Sequence, residues 1–220
     1  MIEAQLIDKL VTLARAPSPG EARTALIDAE ASLGEHRHLF APLLITLAAR
    51  AEELQRLERQ AVLDPLTEIA NRRGLQQALD REISRSARGG EPLSLLLLDL
   101  DGLKTLNDRF GHKAGDEAIC AVGAAIVASL RAGDTAARLG GDEFAVVLPA
   151  TDAEGASAVA ERIRARVEAS TVGEIALGVS IGLVTCDRDC LDAEHMFKAA
   201  DAGLYADKRA RKEISSSLAA

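Results

Sequence analysis

A glycine pair followed by two acids places the strongest constraint on the fold of this chain. Gly140 and Gly141 lie between segment 135–139 and the largely apolar segment 143–148. A Gly-Gly pair permits the positive φ angles of a tight turn, and apolar segments on both sides are typical of paired strands. The sequence therefore predicts a β-hairpin. The acids Asp142 and Glu143 at its tip could simply make the turn soluble, so their role depends on the rest of the chain.

A second acidic element follows the run of leucines at 95–98, which leads directly into Asp99. A short, continuous apolar run predicts a central strand that is buried on both faces. A carboxylate at the C-terminal end of such a strand faces the crevice where open α/β sheets bind ligands. Asp99 and Asp142 are therefore expected to meet. Two carboxylates with a hard cation such as Mg²⁺ are typical of sites that handle nucleoside triphosphates.

Composition argues against several classes of protein. The net charge of −8 disfavours a nucleic-acid polymer or an anionic membrane surface as the main partner. The longest apolar stretches, 43–49 and 93–98, are much shorter than the roughly twenty residues of a membrane span. The first residues lack the basic region of a signal peptide, so we expect a cytoplasmic protein. The cysteines Cys120, Cys186 and Cys190 are predicted to be reduced thiols, because Cys186 and Cys190 lack a second pair of zinc ligands.

Apolar residues recur at helical spacing in residues 1–61, with helices expected at 2–13 and 21–33 and a longer stalk helix after Pro42. This segment is either a helical hairpin that packs on itself or an input and dimerisation module. From residue 71 onward helices and strands alternate, which favours an α/β fold with a mixed sheet flanked by helices. We expect this domain at 62–213, followed by a flexible tail at 214–220. Helices are expected at 74–88, 103–110, 115–131, 152–170 and 191–212, and strands at 93–100, 135–139, 143–148 and 175–184.

Several motifs in a fixed order resemble the GGDEF domain of diguanylate cyclases, and the resemblance covers roughly residues 62–213. It implies the palm-like arrangement that nucleotidyl cyclases share with polymerases. The matching motifs are Asp64-Pro65-Leu66-Thr67, Asn71-Arg72-Arg73, residues 99–108, Phe110-Gly111-His112, Gly115-Asp116, residues 140–144, Ser180-Ile181-Gly182 and residues 200–205.

The resemblance implies that two GTP molecules condense to cyclic di-GMP with release of two pyrophosphates, each protomer of a homodimer presenting one GTP. By similarity, Asp99, Asp142 and the carbonyl group of Leu100 hold Mg²⁺, with Mn²⁺ as an alternative, and Glu143 assists with a second ion. Lys104 would stabilise charge that develops on the phosphates. Either Asp142 or Glu143 accepts the proton of the attacking 3′-hydroxyl group, and the sequence leaves both open.

The resemblance also assigns the substrate pocket. Asn107 and Asp116 match positions that bind the guanine edge, and an amide and a carboxylate have suitable donors and acceptors for GTP rather than ATP. His112 belongs with the same pocket or shapes its loop. Lys208 matches a lysine that contacts the terminal phosphates, and Lys212 could supply a further phosphate cation.

Arg131 and Asp134 form an RxxD pair at the spacing before Gly140 that the family uses for product inhibition. An arginine fork can clamp a phosphate group, and Arg162 matches a further arginine of this inhibitory site. The alternative for the pair is a surface ion pair that ends a helix. The alternative for the whole chain is a non-catalytic cyclic di-GMP receptor or a scaffold.

Three parts of the chain depart from the family pattern. Glu68 replaces a glycine, Gly102 and Leu103 replace bulky aromatic residues, and segment 210–212 replaces Gly-Arg-Asn. None of these changes removes a catalytic group, so they bear on turnover rate more than on activity.

Overall fold

The computed structural model of the chain describes residues 61–186 and 192–218, without the side chains of 214–218, together with the isolated positions 24, 45, 46, 49, 50, 53, 56 and 57. The chain divides into two compact units, residues 1–61 and 62–220. In the first unit every described position has a helical backbone, and Arg56 pairs with Glu53 at 2.7 Å. The helices predicted at 2–13 and 21–33 lie outside the described residues, except at Thr24.

Five helices and six strands make up the described part of the second unit. The helices are α1 (Arg72–Gly89), α2 (Leu103–Phe110), α3 (His112–Val127), α4 (Ala153–Glu168) and α5 (Ala193–Leu218). The strands are β1 (Leu93–Leu100), β2 (Thr135–Gly140), β3 (Glu143–Pro149), β4 (Thr171–Val172), β5 (Ile175–Ala176) and β6 (Val179–Cys186). The main sheet has four strands in the order β2-β3-β1-β6, all paired antiparallel, and β4 and β5 form a separate hairpin. The predicted α/β class, a sheet flanked by helices, is confirmed. Among the described residues, the parallel pairing expected of a mixed sheet is limited to a bridge between Ala70 and Ala137.

Strand β1 is buried on both faces because it lies between β3 and β6 and is covered by helices from both sides. Leu96 and Leu98 belong to the core formed with α3 and α4, whereas Leu95 and Leu97 belong to the core formed with α1 and α5. Side chains alternate between the two faces of a strand, so an unbroken leucine run supplies both cores at once. The predicted central strand at 93–100 is confirmed at both ends.

Three predicted elements of the second unit differ clearly from the structure, while the boundaries of the others there agree to within two residues. Helix α3 begins at His112, three residues before its predicted start, because Gly111 with φ 84° allows the helix to start earlier. It ends at Val127, four residues before its predicted end. The strand predicted at 175–184 is two strands, β5 and β6, since the chain leaves the sheet at Gly178, whose carbonyl oxygen accepts from the N–H of Asp101 at 2.9 Å. Helix α5 continues to Leu218, so helical backbone extends into segment 214–220, for which a flexible tail was expected.

Cys186 is disulfide-bonded and Cys120 is a free thiol, so the prediction that all three cysteines are reduced is wrong. An odd cysteine count is compatible with one disulfide and one free thiol. Within the described part of the chain, no helix combines the length and the apolar character needed to cross a membrane.

Candidate active site

The hairpin tip lies against the end of strand β1. Asp99 on β1 lies opposite Glu143 on β3, and the N–H of Leu100 donates to the carbonyl oxygen of Asp142 at 3.0 Å. The glycines of the turn, Gly140 and Gly141, have φ angles of 139° and 56°. The predicted β-hairpin is therefore present, and its acidic tip reaches the acidic end of the central strand.

A contact between distant parts of the chain supports this tip. The Asp64 Oδ1 atom accepts from the N–H and the hydroxyl group of Thr67, at 2.9 and 2.7 Å, and from the Arg138 guanidinium at 3.2 Å. Arg138 also donates to the carbonyl oxygen of Gly141 at 2.9 and 3.1 Å. Burial alone would raise the pKa of Asp64, but hydrogen bonds from Thr67 and Arg138 outweigh burial and hold this pKa below its ordinary value. The Asp64–Arg138 pair thus ties the turn before α1 to the hairpin.

The two acidic strand ends open into a cleft of about 740 Å³. Three carboxylates line it, and four cationic side chains from α2 and α5 face them. Such a mixture favours a ligand that carries concentrated negative charge and a metal ion together. The carboxylates are Asp99, Asp101 and Asp142, and the cations are Lys104, Lys208, Arg211 and Lys212.

Lys208 lies against Asp99 in this cleft. Its Nζ atom is 2.7 Å from Asp99 Oδ2, and the Asp99 side chain is only 13% exposed. Burial raises the pKa of Asp99 above its ordinary value; Lys208 opposes this shift, and the neighbouring carboxylates Asp142 and Asp101 add to it. The local charges therefore favour a cation beside Asp99.

The oxygen donors at the tip fit a hard divalent cation. Asp99 and Asp142 line one cleft, next to the backbone of Leu100. Among the described residues, no three Asp, Glu, His or Cys side chains form a cluster able to hold a metal ion. Mg²⁺ commonly uses one or two protein carboxylates and takes its other ligands from phosphate and water, so two carboxylates suit it.

Glu143 is placed apart from the other two acids. It is exposed and lines a different cavity of about 430 Å³ on the α1 and α5 side of the sheet, with Phe197, Lys198 and Leu204 among the lining residues. The structure thus brings Asp99, Asp142, Lys104, Lys208 and Lys212 into one cleft and leaves the Glu143 side chain beside a neighbouring one.

Asn107 has a buried oxygen that is not satisfied within the described part of the protein. Its Oδ1 atom has no hydrogen-bond partner there, and it packs so closely on Gly115 that a Cβ atom at 115 would collide with it. Buried polar atoms are normally paired, so this acceptor points to a missing donor. Lys104 lies one turn before Asn107 on α2, while His112 and Asp116 are exposed at the start of α3.

The predicted inhibitory residues lie at the opposite end of strand β2. The Arg131 Nε atom donates to Asp134 Oδ1 at 3.1 Å, and its terminal nitrogen donates to Thr151 Oγ1 at 2.9 Å and to the carbonyl oxygen of Pro149. Arg162 donates twice to the carbonyl oxygen of Ser129, at 3.1 and 2.7 Å. Both arginines are thus held at this surface by acceptors of the same chain.

Sequence reasoning missed Arg211, which lines the cleft and pairs with Asp101 at 3.1 Å. The sequence signal for it is its position beside Lys212, the residue that the sequence predicts as a phosphate cation.

Comparison with protein families matches residues 61–213 to the model described as diguanylate cyclase, GGDEF domain. The chain is 38% identical over 178 residues to diguanylate cyclase DosC of Escherichia coli, which covers 79% of this chain and 38% of DosC. It is 38% identical over 154 residues to response regulator PleD of Caulobacter vibrioides, covering 67% of this chain and 34% of PleD. The chain therefore spans between about a third and two fifths of the length of these relatives.

Solved structures agree in fold. The coiled coil and GGDEF domain of DgcB from Caulobacter crescentus, in complex with c-di-GMP, superposes with a TM-score of 0.74 at 30% identity, covering 79% of this chain and 94% of that one. Diguanylate cyclase SiaD from Pseudomonas aeruginosa, in complex with its activator SiaC, gives a TM-score of 0.65 at 30% identity and covers 94% of this chain and 85% of that one.

Proposed function

The chain belongs to the GGDEF family of diguanylate cyclases, and we propose that it condenses two GTP molecules into cyclic di-GMP with release of two pyrophosphates. The observation that carries this proposal is the cleft in which Asp99 and Asp142 face Lys104, Lys208 and Lys212. Carboxylates and ammonium groups at this density fit a metal-bound triphosphate.

The lysines bind the triphosphate. Lys104 stands at the start of α2, and its exposed ammonium group can reach the phosphates and stabilise charge that develops during displacement of pyrophosphate. Lys208 and Lys212 approach the same cleft from α5. Together they neutralise the chain of phosphates and hold its α-phosphate at the acidic strand ends.

Asp99, Asp142 and the carbonyl oxygen of Leu100 would hold Mg²⁺, with Mn²⁺ as the alternative ion. When bound, the metal polarises the phosphate oxygens and offsets their negative charge. With Asp99 engaged as a metal ligand, the ammonium group of Lys208, which lies 2.7 Å from Asp99 Oδ2, would be available to bind the phosphates. Glu143 is exposed next to Asp142 and would assist a second ion. Either Glu143 or Asp142 would accept the proton of the 3′-hydroxyl group.

Asn107 selects guanine. Its buried, unpaired Oδ1 atom is an acceptor for the N–H donors of the guanine edge, which adenine lacks at the same positions. Asp116 adds a carboxylate acceptor, and His112 lies at the rim of this region. An acceptor left unpaired by the wrong base costs free energy, so GTP is preferred over ATP.

Catalysis requires two protomers. One cleft offers one set of phosphate ligands, whereas cyclic di-GMP needs two GTP molecules whose 3′-hydroxyl groups attack each other's α-phosphates. A homodimer with facing clefts provides this arrangement, and proximity then converts an encounter between two substrates into a reaction within one complex. The helical positions of residues 1–61 are compatible with a module that controls this encounter.

Product feedback acts through Arg131, Asp134 and Arg162. A guanidinium fork clamps phosphate and Asp134 accepts from guanine. The binding of c-di-GMP by the structural relative DgcB supports a product-binding role for the GGDEF domain. Arg131 must leave Pro149 and Thr151 for the ligand, so cyclic di-GMP competes with the acceptors of the protein itself.

The decisive experiment is to incubate the purified chain with GTP and Mg²⁺ and to separate the nucleotide products. We expect cyclic di-GMP and pyrophosphate, more of both from Arg131→Ala, and neither from Asp142→Asn. No cyclic di-GMP from wild type or Arg131→Ala at high protein concentration would exclude the enzyme. Retained cyclic di-GMP binding in that case would identify a receptor.

A further inference from the structure

Helix α5 carries two kinds of charged residue on adjacent faces. Lys208 and Lys212 are one turn apart and line the phosphate cleft. Asp207 and Arg211 precede them by one position each and are also one turn apart. Consecutive residues on a helix are separated by about 100°, so the rotation of α5 about its axis sets how Lys208 and Lys212 are directed into the cleft.

Asp207 fixes this rotation at the open edge of the sheet. Its Oδ2 atom accepts from two nitrogens of Arg164, both at 3.2 Å, and from the backbone N–H of Ile181 at 2.8 Å. Arg164 in turn donates to the carbonyl oxygen of Val179 at 3.1 Å. Val179 and Ile181 belong to β6, an edge strand of the sheet, whose outer backbone groups have no strand partner in the part of the chain that the structure describes.

Arg211 makes a second contact around the same edge. Its Nε atom donates to Asp101 Oδ2 at 3.1 Å and its terminal nitrogen to Glu168 Oε1 at 3.0 Å. Asp101 is held in place by the hydroxyl group of buried Ser180 at 2.7 Å. A Cβ atom at Gly178 would lie 3.2 Å from Asp101 Oδ2 and 3.4 Å from Arg211, so the glycine leaves room for this pairing.

These contacts join helices that lie on opposite faces of the sheet. Helix α4 packs in one core and α5 in the other, and the ion pairs pass around β6. We propose that four residues, here named the edge clasp, are positioning residues that set the rotation of α5 and thereby aim Lys208 and Lys212 at the triphosphate. This inference rests on the proposed function. The edge clasp consists of Arg164 and Glu168 on α4 with Asp207 and Arg211 on α5.

The partial exposure of the clasp side chains indicates that they orient helix α5 rather than contribute much to the folding free energy. The side chains of Arg164, Asp207 and Arg211 are 18%, 25% and 29% exposed, and ion pairs that water reaches contribute little to folding. They do restrict geometry, because two contacts one turn apart stop a helix from rolling. The rival role is direct phosphate binding by Arg211, which itself lines the cleft.

Two of the three test substitutions are at clasp residues that do not line the cleft. Arg164→Gln disrupts the contacts to Asp207 and Val179, and Glu168→Gln removes the charge that pairs with Arg211. The third, Arg211→Gln, removes the clasp residue that also lines the cleft. Arg209→Gln is the matched control, since Arg209 lies on α5, is 67% exposed and has only Glu213 at 4.0 Å as its ion-pair partner among the described residues. Binding of Mg²⁺–tripolyphosphate and of guanosine to the full chain is measured by calorimetry and NMR titration.

We expect all three clasp variants to bind tripolyphosphate about three- to tenfold more weakly, with guanosine affinity and the Arg209→Gln control unchanged. Weaker binding in Arg211→Gln combined with equal or tighter binding in Glu168→Gln would overturn the inference and assign Arg211 to the phosphates directly. Equal losses for both probes would also overturn it, because they indicate general unfolding.

These outcomes separate the inference from the proposed function. A wild-type chain that binds tripolyphosphate but makes no cyclic di-GMP refutes the cyclase, while weaker binding by the variants still supports the edge clasp. Cyclic di-GMP production with unchanged binding in the variants refutes the edge clasp alone. A wild-type chain that does not bind tripolyphosphate refutes both.

Discussion

Replacing Asp64 by asparagine should lower the free energy of unfolding by about 2 kcal/mol at neutral pH. The substitution removes the charge that Arg138 pairs with at 3.2 Å and places an amide near a guanidinium group. A hydrogen bond to a charged partner contributes about 1.5–3 kcal/mol. The side chains of Arg138 and Asp64 are 12% and 15% exposed, so water compensates only part of this loss.

The effect should depend on pH with a defined sign. The pKa of Asp64 is below its ordinary value, because hydrogen bonds from Thr67 and Arg138 outweigh burial. A group with a lowered folded-state pKa stabilises the protein fully above its unfolded pKa, about 3.9 for aspartate, and this stabilisation is lost as pH falls through the folded-state value. The difference between wild type and Asp64→Asn should therefore be constant from neutral pH to about pH 5 and shrink at lower pH.

Urea unfolding followed by far-UV circular dichroism at several pH values measures this difference. Asp108→Asn is the matched control, because Asp108 is exposed on α2. A difference that stays constant down to pH 3, or that is no larger than in the control, would refute the assigned role of Asp64.

Three further substitutions test other parts of the structure. Glu68→Gly should stabilise the protein by about 0.5–1 kcal/mol in urea unfolding, since Glu68 has a φ of 59° that glycine adopts without strain; lower stability would contradict this. Gly182→Ala should destabilise it by about 3 kcal/mol, because a Cβ atom would collide with the backbone of Ala200 on α5, and an unchanged melting temperature would disprove that contact. Gly115→Ala should displace Asn107 and raise KM for GTP about tenfold, so equal KM values for the variant and wild type would remove Asn107 from guanine recognition.

Local sequence signals predicted the elements that depend on few neighbours. Both ends of strand β1 were predicted correctly. An unbroken leucine run has apolar side chains on both faces of the strand, so it fits only a strand that is buried between two cores. Helix α2 was equally accurate, since Gly102 and Gly111, both with positive φ, bound it. The hairpin was predicted from its glycine pair.

Contacts between residues that are far apart in the sequence could not be predicted from local patterns. Asp64 and Arg138 are 74 positions apart, and Arg211 and Asp101 are 110 apart, so no spacing rule links them. The separation of Glu143 from the cleft of Asp142 arises from the alternation of side chains at the start of β3, combined with the packing of α5. The break between β5 and β6 depends on the backbone contact between Gly178 and Asp101.

Under the proposed function, the ion pair between Lys208 and Asp99 implies that metal and nucleotide bind to this cleft as one event. A divalent ion that approaches Asp99 alone competes with an ammonium group already in contact at 2.7 Å, so its net gain is small. A triphosphate gives that ammonium group new partners and gives the metal new ligands, so each makes binding of the other more favourable, and by thermodynamic linkage the coupling is reciprocal. We expect occupancy to follow the concentration of the metal–nucleotide complex and to be nearly insensitive to fluctuations in free metal ion.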